Sequence, residues 1–194
     1  STALIASCNA ESTPMAGLLS RGVIKTKVSL LPANHDFLVQ VELVNNSREV
    51  LEFHIEPGRT FNSIPDEFQD LVAVNTTQIV LQPAASMKAV LFAYCKNKHK
   101  KGPDRTTPLE LGPMASDQLV RICRFIDGES FNIQTIRHIV WAVSDTVPLP
   151  NGPLALENEK TVAELQRYLD VDLGRASADH VLELDTLSRE AGLE

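Results

Sequence analysis

The chain has 194 residues, 43% of them hydrophobic and 22% charged, which is enough apolar material for one large domain or a domain with a small appendage. Its net charge of −7 and pI of 5.3 argue against a general nucleic-acid surface. No run reaches the roughly 18 apolar residues that a membrane-spanning helix requires.

The first segment, 1–20, is rich in Ser, Thr and Ala, lacks periodicity, and is expected to be a flexible leader. Within it, Leu4-Ile5-Ala6-Ser7 before Cys8 resembles the tail of a bacterial lipoprotein signal. That resemblance implies a lipid anchor at Cys8, the only route to a membrane, and an extracytoplasmic setting.

From Arg21 the pattern becomes that of strands. Ile24, Thr26, Val28 and Leu30 form the apolar side of a first strand, and Pro32 to Asn34 break it. Phe37, Val39, Val41 and Leu43 alternate through a second. Asn45-Asn46-Ser47 is turn chemistry, because Asn bonds its own chain locally and tolerates left-handed backbone. Leu51, Phe53 and Ile55 then face opposite Val50, Glu52, His54 and Glu56, which gives a second hairpin arm closed by Pro57-Gly58. Short strands are expected near Thr60, between Phe68 and Val74, and at Ile79 to Leu81. The last runs from Met87 to Tyr94. Strands this short and this regularly punctuated predict an antiparallel β-sandwich or barrel-like domain over 21–95.

After Cys95 the period changes. Lys96, Lys98, His99, Lys100, Lys101 and Arg105 make a basic loop with no interleaved aromatic residue, a solvated loop rather than a single-strand nucleic-acid platform. Ser116 is a helix N-cap candidate followed by Asp117 in the first turn, and Leu119, Ile122, Cys123 and Ile126 share one face. Gly128 is expected to close that helix in a left-handed cap. A second helix, within 131–145, carries Ile133, Ile136, Val140 and Val143 on one stripe. Gln134, His138, Trp141 and Asp145 lie on another, which makes them the candidate binding residues. The 96–153 segment thus reads as a basic loop and a helical pair packed on the β part, for an α+β class overall.

Residues 154–194 hold ten acidic and four basic side chains, a net of −6. Thr161 and Glu164 match a capping box ahead of Val162, Leu165 and Leu169, and Val181, Leu184 and Leu187 continue at helical spacing. Two acidic helices are expected there, docked on the body or on a partner.

The chemical candidates are few. Cys95 follows a strand and precedes cationic residues, which favour thiolate, and His138 is the candidate base. A Cys95–Cys123 disulfide is the competing expectation, tying sheet to helix. The five histidines lack HxH, HxxH or HExxH spacing, so no metal site is expected, and no nucleotide or other cofactor motif is present.

Tyr94-Cys95-Lys96-Asn97 after a strand, a Pro-containing loop and a helix ending Ile139-Val140-Trp141-Ala142-Val143-Ser144-Asp145 resemble the thioester domains of Gram-positive surface adhesins. The resemblance runs from about Val50 to Asp145 and implies a β part joined to a helical part. In that family a cysteine condenses with the glutamine of a TQxAxW motif and captures host surfaces covalently. Counting back from Trp141, the glutamine position holds Arg137 and the threonine position Ile136, while Gln134 lies three residues earlier. Arginine cannot form the acyl bond. The reading is therefore an extracytoplasmic, non-enzymatic binding or adhesion domain with a protein or surface ligand. A cysteine-dependent acyl-transfer or internal-thioester protein using Cys95 is the alternative.

Overall fold

A computed structural model describes residues 13–31, 37–128, 131 and 133–145. The expectations placed on Cys8, on the break at 32–34, on the turn at 146–153 and on the acidic helices of 154–194 lie outside these residues.

Nine strands and three helices are described: β1 (Thr13–Pro14), α1 (Met15–Ser20), β2 (Ile24–Leu31), β3 (Phe37–Asn45), β4 (Leu51–Ile55), β5 (Arg59–Ser63), β6 (Leu71–Ala73), β7 (Thr77–Leu81), β8 (Ser86–Cys95), β9 (Leu109–Met114), α2 (Asp117–Asp127) and α3 (Ile133–Ser144). Six strands pair in the order β2-β3-β8-β6-β5-β9, every pair antiparallel. The two edge strands, β2 and β9, come together, so this sheet curls into a nearly closed barrel. A smaller sheet, β1-β4-β7, packs beside it.

Alternation builds the main core. Val39, Val41 and Leu43 of β3 and Ala89, Leu91, Ala93 and Cys95 of β8 point inward, as the period of two requires. They meet Phe53, Ile55, Ile79 and Leu81 from the small sheet, with Met15 and Leu18 of α1. Residues 13–20 are thus part of the folded body rather than of a flexible leader. Met15 and Leu18 recur at i, i+3, a one-turn apolar signal too short to stand out in a Ser/Thr/Ala-rich stretch. The β part also extends beyond 95, because β9 pairs with β5 and completes the large sheet. Gly112 and Pro113 interrupt the alternation of β9 in sequence and conceal it.

A second core lies on the outward face. Val72 and Val74, with Tyr94 of β8, are covered by Leu119, Ile122, Cys123 and Ile126 of α2 and by Ile136, Ile139, Val140 and Val143 of α3. Ser116 caps α2 as expected, its Oγ accepting from Leu119 N at 3.4 Å. Gly128 does not take the left-handed cap. Its φ is −84°, and its N–H closes the last turn on Phe125 O.

The link from β4 to β5 carries the chain from the small sheet to the large one. Glu56 and Arg59 are both buried there and form an ion pair at 3.1 Å. Glu56 Oε1 also accepts from Ala16 N at 2.9 Å, and Arg59 Nη1 donates to Gly112 O at 3.2 Å. Glu56 therefore does not share the solvent side of β4 with Glu52. Between the pair, Gly58 has φ +89°, and a Cβ there would come within 2.7 Å of Val120 Cγ2 on α2. Only glycine fits both the backbone and the approach of the helix. At the other end, Asn45 is buried. Its Nδ2 donates to Glu49 O and Gln82 O, and its Oδ1 accepts from Ser47 N, so one amide ties the β3–β4 turn to the β7–β8 turn.

Arg59→Met leaves the Glu56 carboxylate buried without its cation. It is expected to destabilise the fold by about 3–5 kcal/mol, measured by urea unfolding with an unchanged m-value.

Candidate functional site

The two helices present different faces to the barrel. α2 lies wholly on the outward core, whereas α3 lays Ile136, Ile139, Val140 and Val143 on it and turns Trp141 toward the barrel interior, against which the half-buried ring packs. The C-terminal end of α3 is fastened to the chain just after β8. Ser144 Oγ donates to Lys96 O at 2.6 Å, and Asp145 Oδ2 accepts from Lys98 N at 2.8 Å. His99 Nε2 lies 3.9 Å from the same carboxylate. Asp145 thus holds the basic loop against the helix, a role that offsets its unfavourable place at a helix C-terminus.

This fastening gathers cations round the indole. Lys98 Nζ is 5.8 Å and Arg137 Cζ 5.9 Å from the Trp141 ring centroid, both within cation–π range. His138 meets the ring edge-on at 5.9 Å. Trp141 Nε1 is buried and has no hydrogen-bond acceptor among the described residues. Gln134 is exposed about two turns before Trp141, its Oε1 accepting from Arg137 Nη1 at 3.3 Å. All four residues of the second stripe therefore belong to one surface. Lys98 and Arg137 are the members that the second stripe does not show, because Lys98 comes from the loop and Arg137 lies off that stripe.

The cysteines are arranged otherwise than expected. Cys95 and Cys123 are both free and buried. Alternation along β8 turns Tyr94 outward and Cys95 into the barrel, while Cys123 on α2 faces the outward core. The sheet itself separates them, so no disulfide joins β8 to α2. Burial pushes the Cys95 thiol up to about 12, and the nearby Arg137 guanidinium offsets only part of that. Cys123 is also pushed up to about 12 by burial, with Asp127 adding to the rise and a hydrogen bond from the Gly58 backbone opposing it. A thiol in this state is protonated at neutral pH and is a poor nucleophile. His138 has its pKa lowered by burial and then by Lys98 and Arg137, so it is neutral at pH 7.

Among the described residues no group of three or more His, Cys, Asp or Glu side chains is placed to hold a metal ion, and no helix is long and apolar enough to cross a membrane. A cleft of about 330 Å³ opens between β1, β4, β9 and α2. His54, Glu56, Arg124 and Asp127 line it, but Glu56 is committed to Arg59 and Asp127 accepts from Thr76 N and Oγ1. No family model, curated protein or solved structure matches this chain.

Two outcomes follow from the protonation states. Native protein treated with iodoacetamide at pH 8 is expected to leave Cys95 and Cys123 unmodified by peptide mass mapping, both becoming labelled in urea. His138, with a folded pKa below its unfolded 6.5, binds its proton more readily in the unfolded chain. Stability should therefore fall as pH drops below 6.5, and His138→Gln should flatten the change in urea midpoint between pH 7.5 and 5.5.

Proposed function

We propose that this chain is a non-enzymatic binding domain of the cell envelope or the secreted space, and that it holds an anionic group of a surface ligand at Trp141. The observation that carries this reading is the convergence of Lys98 and Arg137 on one half-buried indole. Exposed aromatic rings flanked by cations combine apolar contact area with charge, and both terms favour carboxylated or sulfated groups presented on a surface. Ser144 and Asp145 support the patch from behind by fixing the loop to the helix, so the cations are held in place before a ligand arrives.

The extracytoplasmic setting rests on the signal-like residues before Cys8 and on the resemblance to adhesin thioester domains. An acyl-transfer or thioester protein built on Cys95 is the competing reading. It is disfavoured by the buried, protonated thiol and by arginine at the position of the acyl donor. If it held, the intact mass would fall short by one ammonia and methylamine would add covalently.

Immobilised acidic polysaccharides, one carboxylated and one sulfated, provide the test. Binding is expected to weaken as salt rises and to fall at least tenfold in a Lys98→Ala/Arg137→Ala double variant that keeps its urea midpoint. Equal binding by the variant and the parent protein, or a methylamine adduct on an acyl side chain with release of the Cys95 thiol, would overturn the proposal.

A further inference from the structure

The outward face of the large sheet is covered along only part of its width. α2 and α3 lie over β6 and the end of β8, where Val72 and Tyr94 are buried. The side chains two and four positions before Tyr94 point the same way. These are Phe92 and Val90, 52% and 47% exposed. Strand register sets Phe92 beside Leu38 and Leu38 beside Leu31, so an apolar row runs across β8, β3 and β2. Next along the same face comes the row Val90, Gln40 and Ser29, and beyond it exposed Lys88 and Lys27 with Glu42 between them, then exposed Lys25. A sheet that turns one face to water usually carries polar residues there. An aromatic ring and aliphatic side chains in line mark a face with an occupant.

The chain carries a segment of matching chemistry. Residues 154–194 have a net charge of −6, and Val162, Leu165 and Leu169, then Val181, Leu184 and Leu187, recur at helical spacing. Reach is ample. Asp145 is bonded to Lys98, at the end of β8 where the helices stop covering the sheet. Phe92 lies about 13 Å back along the strand from Lys96, and the connection from Asp145 to Thr161 extends up to about 50 Å.

We propose that residues 161–190 of this chain lie over the outward face of β2, β3 and β8. Their apolar stripes cover Leu31, Leu38, Val90 and Phe92, and their carboxylates face Lys25, Lys27 and Lys88. The segment continues the layer that α2 and α3 begin, and leaves the Trp141 patch on α3 uncovered.

Hydrogen exchange on the full chain tests this. Backbone amides within 161–190 are expected to exchange at least tenfold more slowly than in an unstructured peptide, independently of protein concentration. In Val90→Glu/Phe92→Glu that protection is expected to disappear while the amides of β3 and β8 keep theirs. The charge-reversed variant Lys25→Glu/Lys27→Glu/Lys88→Glu, which leaves the apolar row intact, gives the same loss if the first variant fails to fold. Carbodiimide is expected to couple these lysines to carboxylates of the same chain. Peptide-like exchange in the parent protein, protection untouched by both variants, or coupling only between two copies would overturn the proposal.

Discussion

A buried ion pair at the crossing between two sheets is the constraint on which this fold depends. Glu56 and Arg59 flank Pro57-Gly58, the two-residue step by which the chain leaves β4 and enters β5. Two charges in low dielectric are tolerable only if each finds further partners. Here the partners are structural: the amide of Ala16 locates α1 under the small sheet, and the carbonyl of Gly112 locates the bend in β9. Four separate pieces of chain thus meet at one pair of side chains. Gly58 between them lets α2 descend onto the same turn, which seats the helical layer relative to the barrel.

From that seating the surface around Trp141 follows. α2 fixes α3 through the outward core, and α3 reaches past the end of β8 far enough to put its indole against the barrel interior. The loop after Cys95 is then bonded to the end of α3 by two hydrogen bonds. Cations from a loop and from a helix come together only because both are held to the end of one strand. The same geometry accounts for the inert thiol. Cys95 lies in the barrel core against which Trp141 packs, where burial outweighs the neighbouring guanidinium.

Much of the fold was legible from periodicity. β3, β4 and β8 alternate cleanly, and β2 less so, because one face of each is buried against a core, and the stripe of α2 is continuous with its Ser116 cap in place. What escaped shares a physical cause. Residues 13–20 contribute only Met15 and Leu18 to the core, β9 contains a glycine and a proline, and Glu56 is a carboxylate whose burial depends on a cation three residues away. In each case tertiary partners override the local signal. The surface at Trp141 was half legible: the helical stripe names Gln134, His138, Trp141 and Asp145. The participation of Lys98 and Arg137 depends on where the loop after β8 is pinned, and no spacing rule encodes that. The disulfide expectation failed because alternation fixes which way Cys95 points, and it points away from α2.

The strand order has a consequence for the order of assembly. β8 sits between β3 and β6, yet it is the eighth strand in the chain, and β9 is needed to bring the barrel to near closure. A growing chain that has reached β7 holds β3 and β6 with their shared neighbour still missing. Its hairpins can form locally, but β3 and β6 each keep an unpaired edge until residues 86–95 insert between them. Contacts that span so much sequence are closed late and slowly, and hydrophobic strand edges stay exposed while they wait. For this protein the hazardous interval of folding is the one before β8 enters the sheet.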